Sequence, residues 1–371
     1  MSVAVYIDPF SHHFEQDRLF DRRGDTGASD NALAPYVYLR DWFGERGVEM
    51  HTADLLQGVS PNGSTNVYLS FGIRHRYRQL ARRPDVVVSS LFAFECPIVE
   101  PDLYRELAPA SQVFRRLLSF STAEALAPFL TGPVALERFQ LPQYYEDVHA
   151  GIWERDERKF LVLINANKVP QLSLNELYSE RLRALEFFSR YDEIDLYGLG
   201  WDGPAFRVGR PSRLPGPVLR ARRPVLRALH RLLPPRDDVG RAVRRTYRGP
   251  TERKAETLGS YTFAICFENS ILEGWVTEKI FDCFFAGTIP VYLGAPDIEE
   301  WIPPECFVDM RRFTDYAELR AYLHALTPSE IDAYRVAARD FLRSERFRPF
   351  TKRTFAERIG RIVSEDAGVQ L

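Results

Sequence analysis

The most informative part of the sequence is Tyr261-Thr-Phe-Ala-Ile-Cys-Phe-Glu-Asn-Ser270, followed by Glu273-Gly-Trp-Val-Thr-Glu-Lys-Ile280 and Phe285-Ala-Gly-Thr-Ile-Pro-Val-Tyr-Leu-Gly294. It predicts a buried strand at residues 262–267, a polar loop, a helix at about 277–285 and a second strand at 289–293. Continuous apolar strands joined by a helix are typical of a parallel sheet that is covered on both faces. Such open sheets bind ligands at the carboxyl ends of their strands, where Glu268, Asn269 and Ser270 fall.

The predicted helix after this loop begins with Thr277, Glu278 and Lys279. Backbone N–H groups in the first turn of a helix have no partner within it, so they and Lys279 can hold an anion such as a diphosphate. The alternative is that Thr277 and Glu278 only cap the helix and that Lys279 is solvated. The residues alone favour neither interpretation.

Further strands are predicted on both sides of this stretch. In the second half of the chain they lie at residues 160–164, 194–197 and 306–309, and Ser173 with Glu176 has the spacing of a capping box that opens a helix reaching about Tyr191. In the first half, apolar runs alternate with helical stretches in the same way; these runs lie at residues 3–7, 48–51, 66–70 and 85–94.

The chain of 371 residues is long enough for two domains. We expect an α/β lobe over residues 1–150, a second α/β lobe over 151–345 and a helical tail over 346–371. Within Gly198-Leu-Gly200-Trp-Asp-Gly203 the glycines have the spacing of a dinucleotide-binding loop. Prolines follow where the required helix would begin, so we predict a glycine turn there.

An Arg-rich segment interrupts the second lobe at residues 204–249, and we interpret it as an insertion. Between Trp201 and Pro250 there are thirteen Arg and three Asp, a charge of +10 that leaves −12 for the rest of the chain. An apolar stripe flanked by arginines suits peripheral contact with an anionic membrane surface, although an ordinary basic surface helix is the interpretation that the short stripe favours. The stripe consists of Val225, Leu226, Leu229, Leu232 and Leu233, and the arginines are Arg220, Arg222, Arg223, Arg227 and Arg231.

Composition argues against several other classes of protein. The 49 basic and 51 acidic residues nearly cancel, so no global field is present to hold a nucleic acid. The four cysteines form no C-x-x-C pair, which argues against a disulfide framework and a zinc site and fits a reducing compartment. The first residues lack the charged region and apolar run of a signal peptide. We therefore expect a cytoplasmic protein, which lies at the inner face of the membrane if the Arg-rich segment binds lipid.

The segment from Tyr261 to Gly294 resembles the donor-binding signature of the α-1,3-fucosyltransferases, glycosyltransferase family 10. The resemblance is dense over residues 254–313 and thinner over 159–198, where it rests on Asn165 and Arg181. In the first lobe only Phe94-Glu-Cys-Pro97, with Pro101 and Tyr104, is similar to a turn of the family. The similar residues of the signature are Phe267-Glu-Asn-Ser270, Val276-Thr-Glu-Lys279, Gly287-Thr-Ile-Pro-Val291 and Gly294.

The resemblance implies a GT-B fold, in which two Rossmann-like lobes face a central cleft. It implies a donor, GDP-fucose, on the C-terminal lobe and a glycan or glycolipid acceptor on the N-terminal lobe, with no cofactor. The implied contacts to the diphosphate come from Lys279 and Arg181. By the same resemblance, Glu278 contacts the ribose hydroxyls, and Asn269 and Asn165 contact other polar groups of the donor. Glu95 has the role of the general base.

This chain departs from the family at Trp275, a donor-side position where members often carry Tyr. A related GT-B transferase that uses a different nucleotide sugar therefore stays open as an alternative. A second alternative is a non-catalytic protein that binds a nucleotide sugar.

The chemistry of sugar transfer requires the same kinds of residues that the resemblance implies. Inverting transfer is a single displacement, which needs one base and a cationic clamp on the leaving group. No D-x-D occurs in the sequence, so we expect a metal-independent enzyme in which Lys279, Arg181 and a helix N-terminus balance the leaving charge. Arg183 is the alternative to Arg181.

The base assignment rests on the position of Glu95 just past an apolar strand, where burial is expected to raise the pKa of its carboxyl group. The rival bases are Asp8, His12 and His13, at and after the end of the first strand. These three residues are also our candidates for contacts to the acceptor.

Overall fold

The computed structural model describes residues 3–22, 31–58, 64–73, 75–170, 175–207 and 237–371, with Arg222, Pro224, Ala228 and Pro235. The chain divides into two compact units, residues 1–146 with 347–371 and residues 147–346. Each unit contains a six-stranded sheet whose described strand pairs are all parallel. The α/β class predicted from the sequence is confirmed.

Unit 1 has the strand order β2-β1-β3-β4-β5-β6, and alternate strand residues point into separate cores on the two faces of its sheet. Its strands are β1 Val3–Asp8, β2 Glu49–Thr52, β3 Thr65–Phe71, β4 Val86–Ala93, β5 Arg116–Ser119 and β6 Ala135–Arg138. Its helices are α1 Ala34–Gly44, α2 Tyr77–Leu80, α3 Pro101–Ala110, α4 Ala123–Leu126 and, from the end of the chain, α13 Lys352–Ala367.

Helix α13 is part of unit 1, which corrects our assignment of residues 346–371 to a separate tail. Its apolar face, with Phe355 and Ile359, packs in the same core as Val5 and Leu39. The adjoining carboxylate of Asp366 accepts hydrogen bonds of 2.7 and 2.8 Å from Arg116. An amphipathic helix needs an apolar surface to cover, and one face of the first sheet supplies it.

Unit 2 has the strand order β11-β9-β7-β12-β13-β14, while β8 and β10 form a separate pair. Its strands are β7 Lys159–Ile164, β8 Lys168–Val169, β9 Ile194–Tyr197, β10 Phe206–Arg207, β11 Tyr247–Gly249, β12 Tyr261–Phe267, β13 Ile289–Leu293 and β14 Val308–Asp309. Its helices are α5 Ala150–Trp153, α6 Tyr178–Ser189, α7 Asp238–Thr246, α8 Lys254–Leu258, α9 Glu278–Ala286, α10 Ile298–Trp301, α11 Tyr316–Ala325 and α12 Pro328–Leu342.

Two predicted segments of unit 2 differ from expectation. Helix α6 begins at Tyr178, and the Glu176 side chain accepts a 3.0 Å hydrogen bond from the Ser179 amide, whereas Ser173 of the expected capping box lies outside the described residues. Part of the segment interpreted as an insertion, residues 238–249, supplies helix α7 and the edge strand β11 of the main sheet.

The apolar stripe of the Arg-rich segment lies outside the described residues; it consists of Val225, Leu226, Leu229, Leu232 and Leu233. The predicted glycine turn is confirmed, because Gly198 and Gly200 adopt φ angles of +133° and +87°. None of the helices in the described ranges combines the length and the apolar character needed to cross a membrane.

Candidate functional site

The carboxyl ends of β7, β12 and β13 lie side by side at one edge of the sheet in unit 2. Strand β12 pairs with both neighbours, and Phe267 at its end lies opposite Leu293. Glu268 and Asn269 follow β12, Asn165 follows β7 and Gly294 follows β13. The polar residues that the sequence places at strand ends therefore share one edge.

Glu268 connects this edge to the start of helix α9. Its side chain is fully buried and accepts hydrogen bonds from the Thr277 amide at 2.9 Å, from the Thr277 hydroxyl at 2.8 and 2.9 Å, and from Lys279 Nζ at 3.0 Å. Thr277 occupies the N-cap position of α9, but its hydroxyl makes no capping bond to that helix. A buried carboxylate needs a cation and hydrogen-bond donors, and Glu268 has both.

Sequence reasoning placed Glu268 at a strand end but gave it no role. The signal that identifies it is an acidic residue directly after an apolar strand, with Lys279 eleven residues later at a helix start. Only the fold brings these two side chains together, because a separation of eleven residues across a loop has no fixed geometry.

The ammonium group of Lys279 is held in place by its neighbours. Besides its bond to Glu268, it donates a 2.9 Å hydrogen bond to the Thr277 hydroxyl and lies 3.6 Å from Glu278 Oε1. Burial alone would lower the pKa of Lys279, but the charges of Glu268 and Glu278 raise it, so the group stays protonated. An ammonium carries three N–H donors, and these bonds use two. Among the described residues the third donor has only the more distant Glu278 Oε1 near it, so it can turn to a ligand at the start of α9.

Glu278 is the first residue of α9. Burial alone would raise its pKa, but the positive charges of Lys279 and Lys254 lower the pKa of Glu278 to about 2. The carboxylate is therefore ionised at neutral pH. In this form it only accepts hydrogen bonds, so it can bind the hydroxyl groups of a sugar, which donate them.

Arg181 of helix α6 lies beneath the loop that follows β12 and is 3% exposed. Its guanidinium donates to the Phe267 carbonyl at 2.6 and 3.1 Å and to Asn269 Oδ1 at 3.1 Å. Because a guanidinium has no acceptor, the oxygen of Asn269 faces Arg181 and its amino group faces away as a donor. Arg181 is thus enclosed and holds Asn269, whereas the contact to a diphosphate stays a prediction. The alternative, Arg183, is exposed and pairs with Glu180 at 2.7 Å.

The same loop is fixed by the chain that precedes helix α6. The Asn175 carbonyl accepts hydrogen bonds from the Ile271 amide at 2.8 Å and from the Ser270 hydroxyl at 3.0 Å. The Leu177 amide donates to the Asn269 carbonyl at 3.1 Å. Asn269 is therefore held through its backbone and its side chain.

The other donor-side residues surround this edge. Asn165 accepts a 2.7 Å hydrogen bond from the Trp201 indole through its carbonyl, and a Cβ atom on Gly198 would lie 1.9 Å from that oxygen. Trp275 is 1% exposed, which places its ring in the interior and corrects the expectation of a donor contact there. A Cβ atom on Gly294 would lie 2.5 Å from Cγ of Glu268, so this position requires glycine.

The predicted base and its rivals belong to unit 1. Glu95 follows β4, and its carbonyl accepts a 3.0 Å hydrogen bond from the Tyr104 hydroxyl. The Asp8 carboxylate is fully buried and pairs with Arg76 at 2.6 Å and with the Tyr68 hydroxyl at 2.8 Å. The burial of Asp8 corrects the expectation that this residue contacts the acceptor substrate, because a carboxylate without exposed surface cannot touch it. His12 and His13 are exposed, and His12 lies 2.9 Å from Glu15.

Comparison with known proteins finds a likeness to one family over part of the chain. Residues 219–336 match the model of the C-terminal region of glycosyltransferase family 10 (fucosyltransferase). The chain is 39% identical over 87 residues to an alpha-(1,3)-fucosyltransferase of Helicobacter pylori, covering 24% of this chain and 18% of that protein. It is 36% identical over 74 residues to GDP-fucose protein O-fucosyltransferase 3 of Xenopus laevis, covering 20% and 16%. The matches span less than a fifth of the length of these curated relatives.

Solved structures resemble the chain over almost its whole length. Sucrose-phosphate synthase from Thermosynechococcus elongatus has a TM-score of 0.54 at 10% identity, covering 98% of this chain and 99% of that one. An alpha1,3-fucosyltransferase has a TM-score of 0.50 at 13% identity, covering 98% and 90%. At these identities the likeness concerns the fold, which is of the GT-B class. The family match covers about a third of the chain and includes the strand end and helix start described above.

Proposed function

We propose that the protein is an inverting, metal-independent glycosyltransferase that moves fucose from GDP-fucose to a hydroxyl of a glycan or glycolipid. The observation that supports this most strongly is the Lys279 ammonium, which Glu268 and Thr277 hold beside the first turn of α9. A fixed cation at a helix N-terminus is suited to bind a diphosphate and to balance the charge that develops as it leaves.

On the donor side, each residue has a distinct task. Lys279 and the backbone amides of the α9 first turn bind the diphosphate. The ionised carboxylate of Glu278 accepts hydrogen bonds from the ribose hydroxyls, and the amino group of Asn269 donates to the donor. Arg181 keeps Asn269 in the orientation that exposes this amino group.

The transfer itself is a single displacement. The acceptor hydroxyl forms a bond to the anomeric carbon of fucose while the bond from that carbon to the diphosphate oxygen breaks, and GDP departs with the electron pair. The hydroxyl proton passes to the Glu95 carboxylate, which acts as the general base.

The identity of the donor is supported by the relatives. One carries GDP-fucose in its name, and the family model is that of fucosyltransferases. The alternative, a related transferase with another nucleotide sugar, was suggested by Trp275, but the burial of that side chain gives it no support. Nucleotide release measured across a panel of sugar donors separates the two.

Calorimetric titration with GDP and GDP-fucose in the presence of EDTA tests the donor site. We expect both ligands to bind the wild type and Lys279→Ala to bind at least tenfold more weakly, since it loses a charge-assisted contact worth about 1.5–3 kcal/mol. Lys159→Ala is the matched control, because Lys159 lies at the amino end of β7, at the opposite edge of the same sheet. Binding that requires a divalent metal would refute the metal-free mechanism.

Single-turnover transfer tests the base. Glu95→Gln is expected to slow transfer by about 10²–10⁴-fold and to leave GDP binding unchanged. GDP binding by the wild type without any sugar transfer or hydrolysis would instead favour the non-catalytic binding protein.

We further infer a cytoplasmic location with peripheral membrane contact through the Arg-rich segment. The test is co-sedimentation with anionic vesicles of the full chain and of a variant with Arg220, Arg223, Arg227 and Arg231 changed to Gln. This variant spares α7 and β11, which belong to the folded unit. Equal pelleting of both proteins would remove the proposed membrane contact.

A further inference from the structure

A second buried ion pair lies beside the proposed donor site. Lys254, the first residue of α8, contacts Asp282 of α9 with 2.5 Å between Nζ and Oδ2. The two side chains are only 22% and 10% exposed. Neither residue has a part in the proposed function described above.

The spacing of Asp282 along α9 creates an electrostatic problem for the site. Glu278 and Asp282 are four residues apart in one helix, so their carboxylates lie on the same face one turn from each other. Two neighbouring carboxylates in a poorly solvated position repel, and one of them then tends to take up a proton. Lys254 offsets the charge of Asp282 from the adjoining helix.

We propose that Lys254 is a positioning residue whose positive charge is shared by Asp282 and Glu278 and keeps Glu278 charged for its contact with the donor ribose. The electrostatic part concerns the protein alone, whereas the consequence for the donor rests on the proposed function. Lys254 touches no reacting group, and it acts through Asp282 and Glu278.

The charges around Glu278 agree with this role. They come from Lys279 and Asp282 on its own helix, Lys254 on α8 and Arg181 on α6, while Glu268 after β12 acts on the neighbouring Lys279. Burial and then the charge of Glu278 raise the pKa of Asp282, while Lys254 opposes that rise. Lys254 is second only to Lys279 among the charges that lower the pKa of Glu278.

The direct test is carboxyl-carbon NMR of the full chain labelled with ¹³C-glutamate, titrated from pH 8 to pH 4. The Glu278 signal is the one missing from Glu278→Gln. We expect Glu278 to stay ionised throughout in the wild type and in Asp282→Asn. In Lys254→Met we expect its pKa to move towards or above the ordinary value of 4.5, so that it titrates within this range. In the double variant Lys254→Met/Asp282→Asn we expect Glu278 to stay ionised over more of this range than in Lys254→Met.

Two results would overturn the proposal. One is a Glu278 signal in Lys254→Met that stays as ionised as in the wild type, and the other is a double variant that titrates like the single one. A purely structural loss would not be reversed by removing a second charge. If Lys254→Met fails to fold, Lys254→Gln, which keeps a hydrogen-bond donor for Asp282, supports the same comparison.

GDP binding supplies the functional readout. If the pKa of Glu278 rises from about 2 to the ordinary value of 4.5 in Lys254→Met, the ratio of dissociation constants between this variant and the wild type should be about fourfold larger at pH 4 than at pH 8, and the titration of GDP itself cancels in this ratio. A ratio that does not change with pH would overturn the link to the donor. A wild type that does not bind GDP would refute the proposed function, while the NMR titration would still decide whether Lys254 keeps Glu278 charged.

Discussion

Glu268 is the residue whose replacement has the most predictable consequences. Glu268→Gln keeps the size of the side chain but leaves the Lys279 ammonium without its buried counter-ion. We expect a loss of about 3–5 kcal/mol in the free energy of unfolding, typical of a broken buried pair, together with weaker GDP binding. Urea unfolding and calorimetry measure the two effects. Glu305→Gln, at an exposed position of the same unit, should match the wild type, and equal stability of both variants would contradict the importance of the pair.

A substitution of Gly294, which follows the neighbouring strand β13, tests the contact between Glu268 and Lys279. In Gly294→Ala the new methyl group would lie 2.5 Å from Glu268 Cγ and 2.6 Å from the Tyr292 hydroxyl, so Glu268 must move. We expect a destabilisation of about 1–3 kcal/mol and a lower affinity for GDP. The control is Gly151→Ala, because no atom lies within 4 Å of its added carbon. Thermal unfolding that shows both variants to be equally stable would argue against a rigid Glu268.

For single residues, the sequence predicts which side chains lie at strand ends better than it predicts what those side chains contact. Polar residues at the ends of apolar strands are visible as a pattern, and the structure brings Asn165, Glu268 and Asn269 to one edge. The enclosure of Arg181 and Asp8 is not visible, because charged side chains are mostly exposed and their buried partners come from distant parts of the chain. Asp8, for example, pairs with a residue sixty-eight positions away.

Among the elements, helix α9 was predicted to within one residue at each end, since Thr277 and Gly287 are strong boundary signals. Thr277 occupies the N-cap, and Gly287 ends the helix with a φ angle of +67°. Strands β5 and β6 were missed, whereas β2 and β9, which are equally short, were predicted. Runs of four residues carry so little periodicity that some are recognised and others are not.

Helix α13 yields a prediction about unit 1. Ile359 has no exposed surface and packs with strands from the beginning of the chain. Ile359→Ala should lower the free energy of unfolding by about 2–5 kcal/mol, as expected when a buried aliphatic side chain is truncated. Arg353→Ala, on the exposed side of the same helix, should change it by less than about 1 kcal/mol. Hydrogen exchange should show the loss of protection in β1 and β3, and a loss confined to α13 itself would contradict the shared core.

For the whole molecule, two parallel-sheet units were predicted correctly, whereas the return of the chain to the first unit was not. A local pattern identifies an amphipathic helix but does not say which surface it covers. That choice depends on the apolar face that the rest of unit 1 leaves open to α13.

Acid stability is a property of both units together. Burial alone would raise the pKa values of Glu278 and Asp366, but Lys279 and Lys254 lower the pKa of Glu278 to about 2, and hydrogen bonds from Arg116 lower that of Asp366. A carboxyl group with a lowered pKa stabilises the fold above its ordinary pKa, and this contribution is lost as the pH falls through the lowered value. We expect the free energy of unfolding to fall below about pH 4.5. Urea titrations from pH 7 to pH 3 measure this, and Glu278→Gln should show a shallower decline; an identical decline would contradict the assignment.

The packing of α13 also bears on how the protein is made. On the ribosome, residues 1–146 emerge first, but the helix that completes their core is translated only after the 200 residues of unit 2. At about 5–20 residues per second this interval is roughly 10–40 s. The unit translated second can therefore reach its final fold first, while the face of the first sheet that α13 shares with α1 stays partly uncovered and open to chaperones.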